Sequence, residues 1–167
     1  MAEMSALRRP GRIDILMGSI ADGVSFQLKM MFNILAVEDD EVDRMNIERA
    51  FKRGNLLNPL SFARDGIEAL EYLNGGEVRE PLLILLDLNM PRMNGLEFLA
   101  ALRKDRRWSP TPVVVFTTSK EESDRVAAYD KGTNGYIVKP MEFIDFVKTM
   151  ILLGQYWMVC QFPRGDK

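Results

Sequence analysis

Residues 82–91 read "LLILLDLNMP": five apolar residues, Leu82 to Leu86, run straight into an acid, Asp87, and Pro91 follows four residues on. A short run of branched and apolar residues with no polar alternation suits a strand buried on both faces. A carboxylate at its end is costly unless something there uses it.

Similar runs recur at Ile34–Val37, Val113–Phe116 and Tyr136–Val138, and "PLSFA" at 59–63 reads as a weaker edge strand. Helical periodicity separates them. Residues 41–53 carry Val42, Met45, Ile47, Ala50 and Phe51 ahead of Gly54. Ile67, Leu70 and Leu73 precede Gly75-Gly76, and Leu96, Leu99 and Leu102 run into Arg103, Lys104, Arg106 and Arg107. Those late cations suit a helix C-terminus, and a solvated helix end explains them better than nucleic-acid binding does. Residues 120–131 and 141–158 supply two more helices. Alternation of this kind predicts an α/β fold, a doubly wound five-stranded parallel sheet with five helices on its two faces.

The totals narrow the chemistry. A chain of 167 residues with 47% hydrophobic and 28% charged residues has the composition of a globular protein. Its net charge of −2 gives no bulk attraction to nucleic acid or anionic membrane, and no apolar run approaches the roughly 20 residues of a membrane span. The chain has no histidine, which removes imidazole bases, imidazole metal sites and any phosphohistidine role of its own. The single cysteine, Cys160, excludes CxxC redox sites and internal disulfides and fits a cytoplasmic setting.

Three segments are expected: an N-terminal extension at 1–31, a domain at 32–154 and a C-terminal tail at 155–167. The extension starts basic and then apolar, as a signal peptide would. Asp14 and Asp22 interrupt it, however, and no small-residue cleavage site follows. Met30 or Met31 would serve as a later start. The residues past 154 are too few for an output domain, so output through protein contacts is expected.

Function in a doubly wound sheet gathers at the carboxyl ends of the strands. There the sequence places Glu38, Asp39 and Asp40 after strand one, Asp87 after strand three, Thr117, Thr118 and Ser119 at strand four, and Lys139 with Pro140 after strand five. Asp40 and Ser119 also suit helix N-caps. Carboxylates packed together resist ionisation unless a cation joins them, and an oxygen-only donor set favours Mg²⁺ or Mn²⁺. A lysine and a hydroxyl nearby suit a phosphoryl group, and Asp87 becomes a candidate nucleophile.

These residues carry a family resemblance. Over about residues 33–154 the chain resembles response-regulator receiver domains of two-component signalling. The strings "ILAVEDD", "LDLNMPRMNGLEFL", "VVVFTTS" and "NGYIVKP" stand in that family's order and spacing. The longer string from "TTSKEESDRVAAYDKGTNGYIVKPMEF" to "LGQYW" is similar to the single-domain regulators that partner phytochrome-type kinases. The resemblance implies a flavodoxin-like sheet of strand order 2-1-3-4-5. It also implies that Asp87 accepts a phosphoryl group from a sensor histidine kinase or a phosphotransfer protein. Glu38, Asp39, Asp87 and the main-chain carbonyl of Asn89 would hold Mg²⁺ or Mn²⁺. Thr117 and Lys139 would bind the phosphoryl group, Tyr136 would be the switch aromatic, and the Lys139–Pro140 bond would be cis. Glu38 replaces the aspartate commonest at the first acidic position, and Asn89 stands where a side chain influences attacking water.

Other readings stay in view. Tyr136 also suits a plain strand aromatic. A phosphatase with an aspartate at a strand end uses D-x-D, but Asn89 fills the second acid's place here. A flavin or nucleotide module would want a phosphate-cradling loop, and no GxGxxG or P-loop occurs. A receiver-like scaffold that acts without phosphorylation is the alternative from another class. Around the last helix, Phe143, Phe146, Val147, Met150 and Trp157 form one apolar stripe, while Ile151, Leu152, Leu153, Tyr156, Met158 and Val159 add apolar surface on other faces. A homodimer through this helix would bury that surplus; folding the tail back on itself is the alternative.

Overall fold

A computed structural model describes residues 32–76 and 78–162. The expected extension at 1–31 lies outside the described residues. Strands β1 (Asn33–Val37), β2 (Leu60–Ala63), β3 (Leu82–Leu86), β4 (Val113–Thr117) and β5 (Gly135–Val138) form one parallel sheet in the order β2-β1-β3-β4-β5. Helices α1 (Glu41–Arg53), α2 (Gly66–Asn74), α3 (Gly95–Lys104), α4 (Glu122–Asp130) and α5 (Phe143–Val159) connect and cover it. This is the flavodoxin-like architecture, and β2 is an edge strand as expected.

The uninterrupted apolar runs follow from burial on two faces. Ile34, Ala36, Leu83 and Leu85 pack with Ile47, Phe51, Phe146 and Met150 under α1 and α5. Leu35, Val37, Ile84 and Leu86 pack with Leu73, Phe98, Leu99 and Leu102 under α2 and α3. Neither face has room for a polar residue in the middle of β1, β3 or β4, and those strands carry none there. Val37 pairs with Leu86, and Leu86 with Val115. The residues that follow, Glu38 and Asp87, therefore emerge side by side where β1 and β3 part. α4 is held more lightly: Ala128 is its one buried residue, and Val126 and Tyr129 are exposed.

α5 runs through the expected boundary at residue 154. Trp157 is 7% exposed and belongs to the core, and the Phe162 ring lies 5.6 Å from Trp157 and 5.2 Å from Phe32. Ile151, Leu153 and Met158 also pack against this core. Part of the surplus apolar surface is thus covered by the chain itself, while Leu152, Tyr156 and Val159 remain exposed. Among the described residues no helix is long and apolar enough to cross a membrane.

Candidate functional site

Strand ends place the acids. The β1 ladder continues one residue through Glu38 N–H to Ala63 O (2.8 Å), and Asp87 N–H donates to Val37 O (3.0 Å). Chain then turns away at both points, leaving each side chain at the sheet edge. Asp40 caps α1 by accepting from Asp43 N–H at 2.9 Å, as its position suggests. Arg44, one turn into α1, donates to the carbonyls of Glu38 (2.8 Å) and Asp39 (2.7 Å) and pins the acidic loop.

Glu38, Asp39 and Asp87 offer carboxylate oxygens that all lie within 4.8 Å of one another. Glu38 and Asp87 are buried and Asp39 is exposed. Like charges this close need a counter-charge. Lys139, buried after β5, supplies one: its ammonium donates at 2.6 Å to Glu38 Oε2 and at 2.6 Å to Asp43 Oδ2, and stands 3.7 Å from Asp87 Oδ2. Burial alone would lower Lys139, but Glu38, Asp87 and Asp43 outweigh it and hold the ammonium above the ordinary lysine range. Burial pushes Glu38 up to about 7 against the pull of Lys139. A divalent cation among the three carboxylates would supply further counter-charge. The donor set, oxygen alone and partly open to solvent, fits a hard ion of the Mg²⁺ or Mn²⁺ kind.

The rest of the rim is built from loops. Thr117 ends β4 fully buried, and its hydroxyl accepts from Ser119 N–H at 3.3 Å. Lys139 N–H bonds Thr117 O at 2.7 Å, joining the two strand ends. The Tyr136 hydroxyl donates to Ser119 O at 3.2 Å, while its ring packs beside Leu88, Val115 and Ala128. Tyr136 is thus both a strand aromatic and a direct tie to the β4–α4 loop. Asn89 is exposed two residues beyond Asp87. Gly95 opens α3 against the backbone of Asp87: a Cβ there would run into the Asp87 carbonyl oxygen and sit 2.8 Å from Leu88 Cα. Glycine is required at 95 by that close approach.

Two expectations are corrected. Among the described residues the cis peptide bond lies at Glu80–Pro81, and Lys139–Pro140 is not cis. The isomers before proline differ by only about 0.5–1 kcal/mol, so packing decides between them. Ser119 does not cap α4. Glu121 occupies that position without a side-chain bond, and the Ser119 hydroxyl instead donates to Asp124 at 2.6 Å.

Sequence reasoning passed over three residues. Asp43 is the second partner of Lys139. As an acid in a first helical turn, it reads only as dipole compensation. Asp65 and Arg92 form a buried-to-surface ion pair joining the β2–α2 loop to the β3–α3 loop just past Asp87. Arg92 has φ of 62°, a left-handed backbone uncommon outside glycine, and its bond to Asp65 helps hold that turn.

The fold agrees with the comparisons. The family model for the response regulator receiver domain matches residues 34–151. A probable methanogenesis regulatory protein, FilR2 of Methanothrix harundinacea, is 38% identical over 76% of this chain and 84% of its own length. Response regulator Rcp1 of Synechocystis is 35% identical over 75% of this chain and 88% of its own. Its Mn²⁺-bound structure has a TM-score of 0.69 at 32% identity, covering 80% of this chain and 99% of that one. The phosphorylated cyanobacterial phytochrome response regulator RcpA superposes with a TM-score of 0.74 at 31% identity, again over 80% and 99%. A family match across most of the chain, carried on a parallel sheet of order β2-β1-β3-β4-β5, makes this protein a member of the response regulator receiver domain family, a signalling rather than a conventional enzyme family.

Proposed function

We propose that this chain is a phosphoacceptor. Asp87 takes a phosphoryl group from the phosphohistidine of a sensor histidine kinase, and the chain signals through altered protein contacts. The observation that carries the reading is the meeting of three carboxylates within 4.8 Å with a buried ammonium 3.7 Å from Asp87. Asp87 Oδ1 accepts from Leu88 N–H at 2.8 Å, which fixes the carboxylate and leaves Oδ2 toward Lys139. The nucleophilic oxygen would attack phosphorus, the P–N bond would break, and the imidazole nitrogen would keep the electron pair. A cleft of about 480 Å³ lined by Leu88, Asn89, Met90, Asn94, Leu96 and Asp124 leaves room for the donor's approach.

Mg²⁺ or Mn²⁺ held by Glu38, Asp39, Asp87 and the Asn89 carbonyl would neutralise charge on the transferring group. The Mn²⁺-bound relative supports that ligand chemistry. Thr117 would bond a phosphoryl oxygen, Lys139 would pair with the group, and Tyr136 would carry the change to the α4–β5–α5 surface. Self-catalysed phosphorylation and dephosphorylation would follow from the same groups. Likeness to a phytochrome response regulator favours a phytochrome-type kinase, and a cytoplasmic setting goes with it. Residues 1–31 are read as an extension that the site does not need.

The test is incubation of the full chain with acetyl phosphate, followed by phosphate-affinity electrophoresis. Wild type should label only with a divalent ion present, and Asp87→Asn should not label. Equal labelling of the variant would overturn Asp87. An unlabelled wild type, even beside active kinases, would leave the scaffold reading instead.

A further inference from the structure

Lys139 shares its ammonium among acids that do not have equal roles. Glu38 and Asp87 belong to the close carboxylate trio, whereas Asp43 does not. Two of the three N–H bonds of the ammonium are spent at 2.6 Å on Glu38 and Asp43. Glu38 is engaged at its other oxygen too, where Oε1 accepts from Asp40 N–H at 3.2 Å. A divalent cation entering the trio would draw on the same Glu38 and Asp87 carboxylates that face the ammonium. Two cations would then compete for one set of ligands at short range in a poorly solvated place. Only Asp43 among the neighbours of Lys139 lies outside that set. It sits in the first turn of α1 with its own N–H tied to Asp40, and its side chain is 25% exposed, so it is a counter-ion fixed by the helix cap.

Resting on the metal reading of Glu38, Asp39 and Asp87, we propose that Asp43 is a positioning residue. It holds the Lys139 ammonium at the margin of the acid trio, so that a divalent cation and the ammonium occupy the site together. With Glu38 given over to the metal, the ammonium stays anchored to Asp43 and close to Asp87, where a phosphoryl oxygen would emerge. Without Asp43 the ammonium falls back on Glu38 and Asp87 and opposes the metal.

The experiment is a Mn²⁺ titration of the full chain followed by the electron paramagnetic resonance signal of free Mn²⁺, with no phosphodonor present. Asp43→Asn, equal in shape and without the charge, should bind Mn²⁺ about tenfold more weakly. Lys139→Met should bind at least as tightly as wild type. In the Lys139→Met background, Asp43→Asn should change affinity by less than about twofold, because its effect runs through the ammonium. Asp43→Glu, which restores the charge, should recover part of the loss. Unchanged affinity of Asp43→Asn overturns the inference, as does an equal loss with and without Lys139, which would make Asp43 a ligand or a plain source of charge. Asp39→Asn separates the two levels: if it binds Mn²⁺ as wild type does, the metal reading itself falls and takes the inference with it.

Discussion

Lys139 Nζ lies 2.6 Å from Glu38 Oε2 across 101 positions of sequence, and that single contact ties the end of β5 to the end of β1 across the whole working edge of the sheet. β3 and β4 lie between those two strands, so the pair spans the end of the strand that presents Asp87. Lys139 also stands 3.7 Å from Asp87 Oδ2, so charge at Asp87 acts on it directly.

Lys139→Ala should retain divalent-ion binding and labelling of Asp87, since the carboxylates that do this chemistry remain. It should lose the response that follows. On phosphorylation of wild type, the amide resonances of Ser119 and Tyr136 should shift in ¹⁵N spectra, and in the variant most of that shift should vanish. A variant responding like wild type would remove Lys139 from the signalling step.

The Asp65–Arg92 pair makes a pH prediction of definite sign. Burial alone would raise Asp65, but the N–H of Glu68, the Arg92 side chain and the N–H of Ile67 outweigh it and hold the carboxyl below its ordinary range. A carboxyl depressed in the folded state stabilises fully above the unfolded value and loses that contribution as pH falls through the folded one. Asp65→Asn keeps a capping side chain for α2 but loses the ion pair. Its urea midpoint should lie below wild type at pH 7, and the gap should close below roughly pH 4. A gap constant across that range would mean that the charge on Asp65 is not what stabilises.

What could be read from the sequence, and what could not, divides along physical lines. Leu82–Leu86 announces a two-face buried strand because five consecutive apolar residues leave no solvent face, and the acids after such strands announce a site. Asp43 was invisible because any acid in a first helical turn suits the helix dipole, and only the three-dimensional path of Lys139 gives it a partner. The Lys139–Pro140 isomer turns on a difference too small for local sequence to settle. The continuation of α5 past residue 154 depends on Phe162 folding back onto Trp157 and Phe32, a contact between distant parts of the chain.

That continuation has a cost when cut. Trp157 packs from α5 into the core and against Phe162, so Trp157→Ala should destabilise by about 3 kcal/mol, in the range for emptying a large aromatic site. Among the described residues its indole N–H has no hydrogen-bond partner, which argues for the lower end of that range. Chemical denaturation measures it. A change under about 0.5 kcal/mol, the size of an ordinary surface substitution, would place residues beyond 154 outside the folded unit.

One apolar face of α5 is still in water. Leu152, Tyr156 and Val159 stand at spacings of four and three, on one side of the helix, and are 65%, 61% and 77% exposed. Ile144 lies two turns before Leu152 on the same line, with Lys148 between them. Ile151, Leu153 and Met158, by contrast, are partly buried against the core. A second copy offers the simplest cover, because in a two-fold dimer one stripe meets its own image and each apolar residue serves both subunits. Sedimentation velocity at micromolar concentration should show a dimer. Leu152→Asp and Tyr156→Asp should each raise its dissociation constant by about tenfold or more, since a carboxylate would have to be desolvated at the seam. Both variants should keep the wild-type urea midpoint measured on dilute monomer, because neither side chain belongs to the core. A wild-type chain that stays monomeric with and without phosphate would remove the dimer and leave this stripe to a different protein.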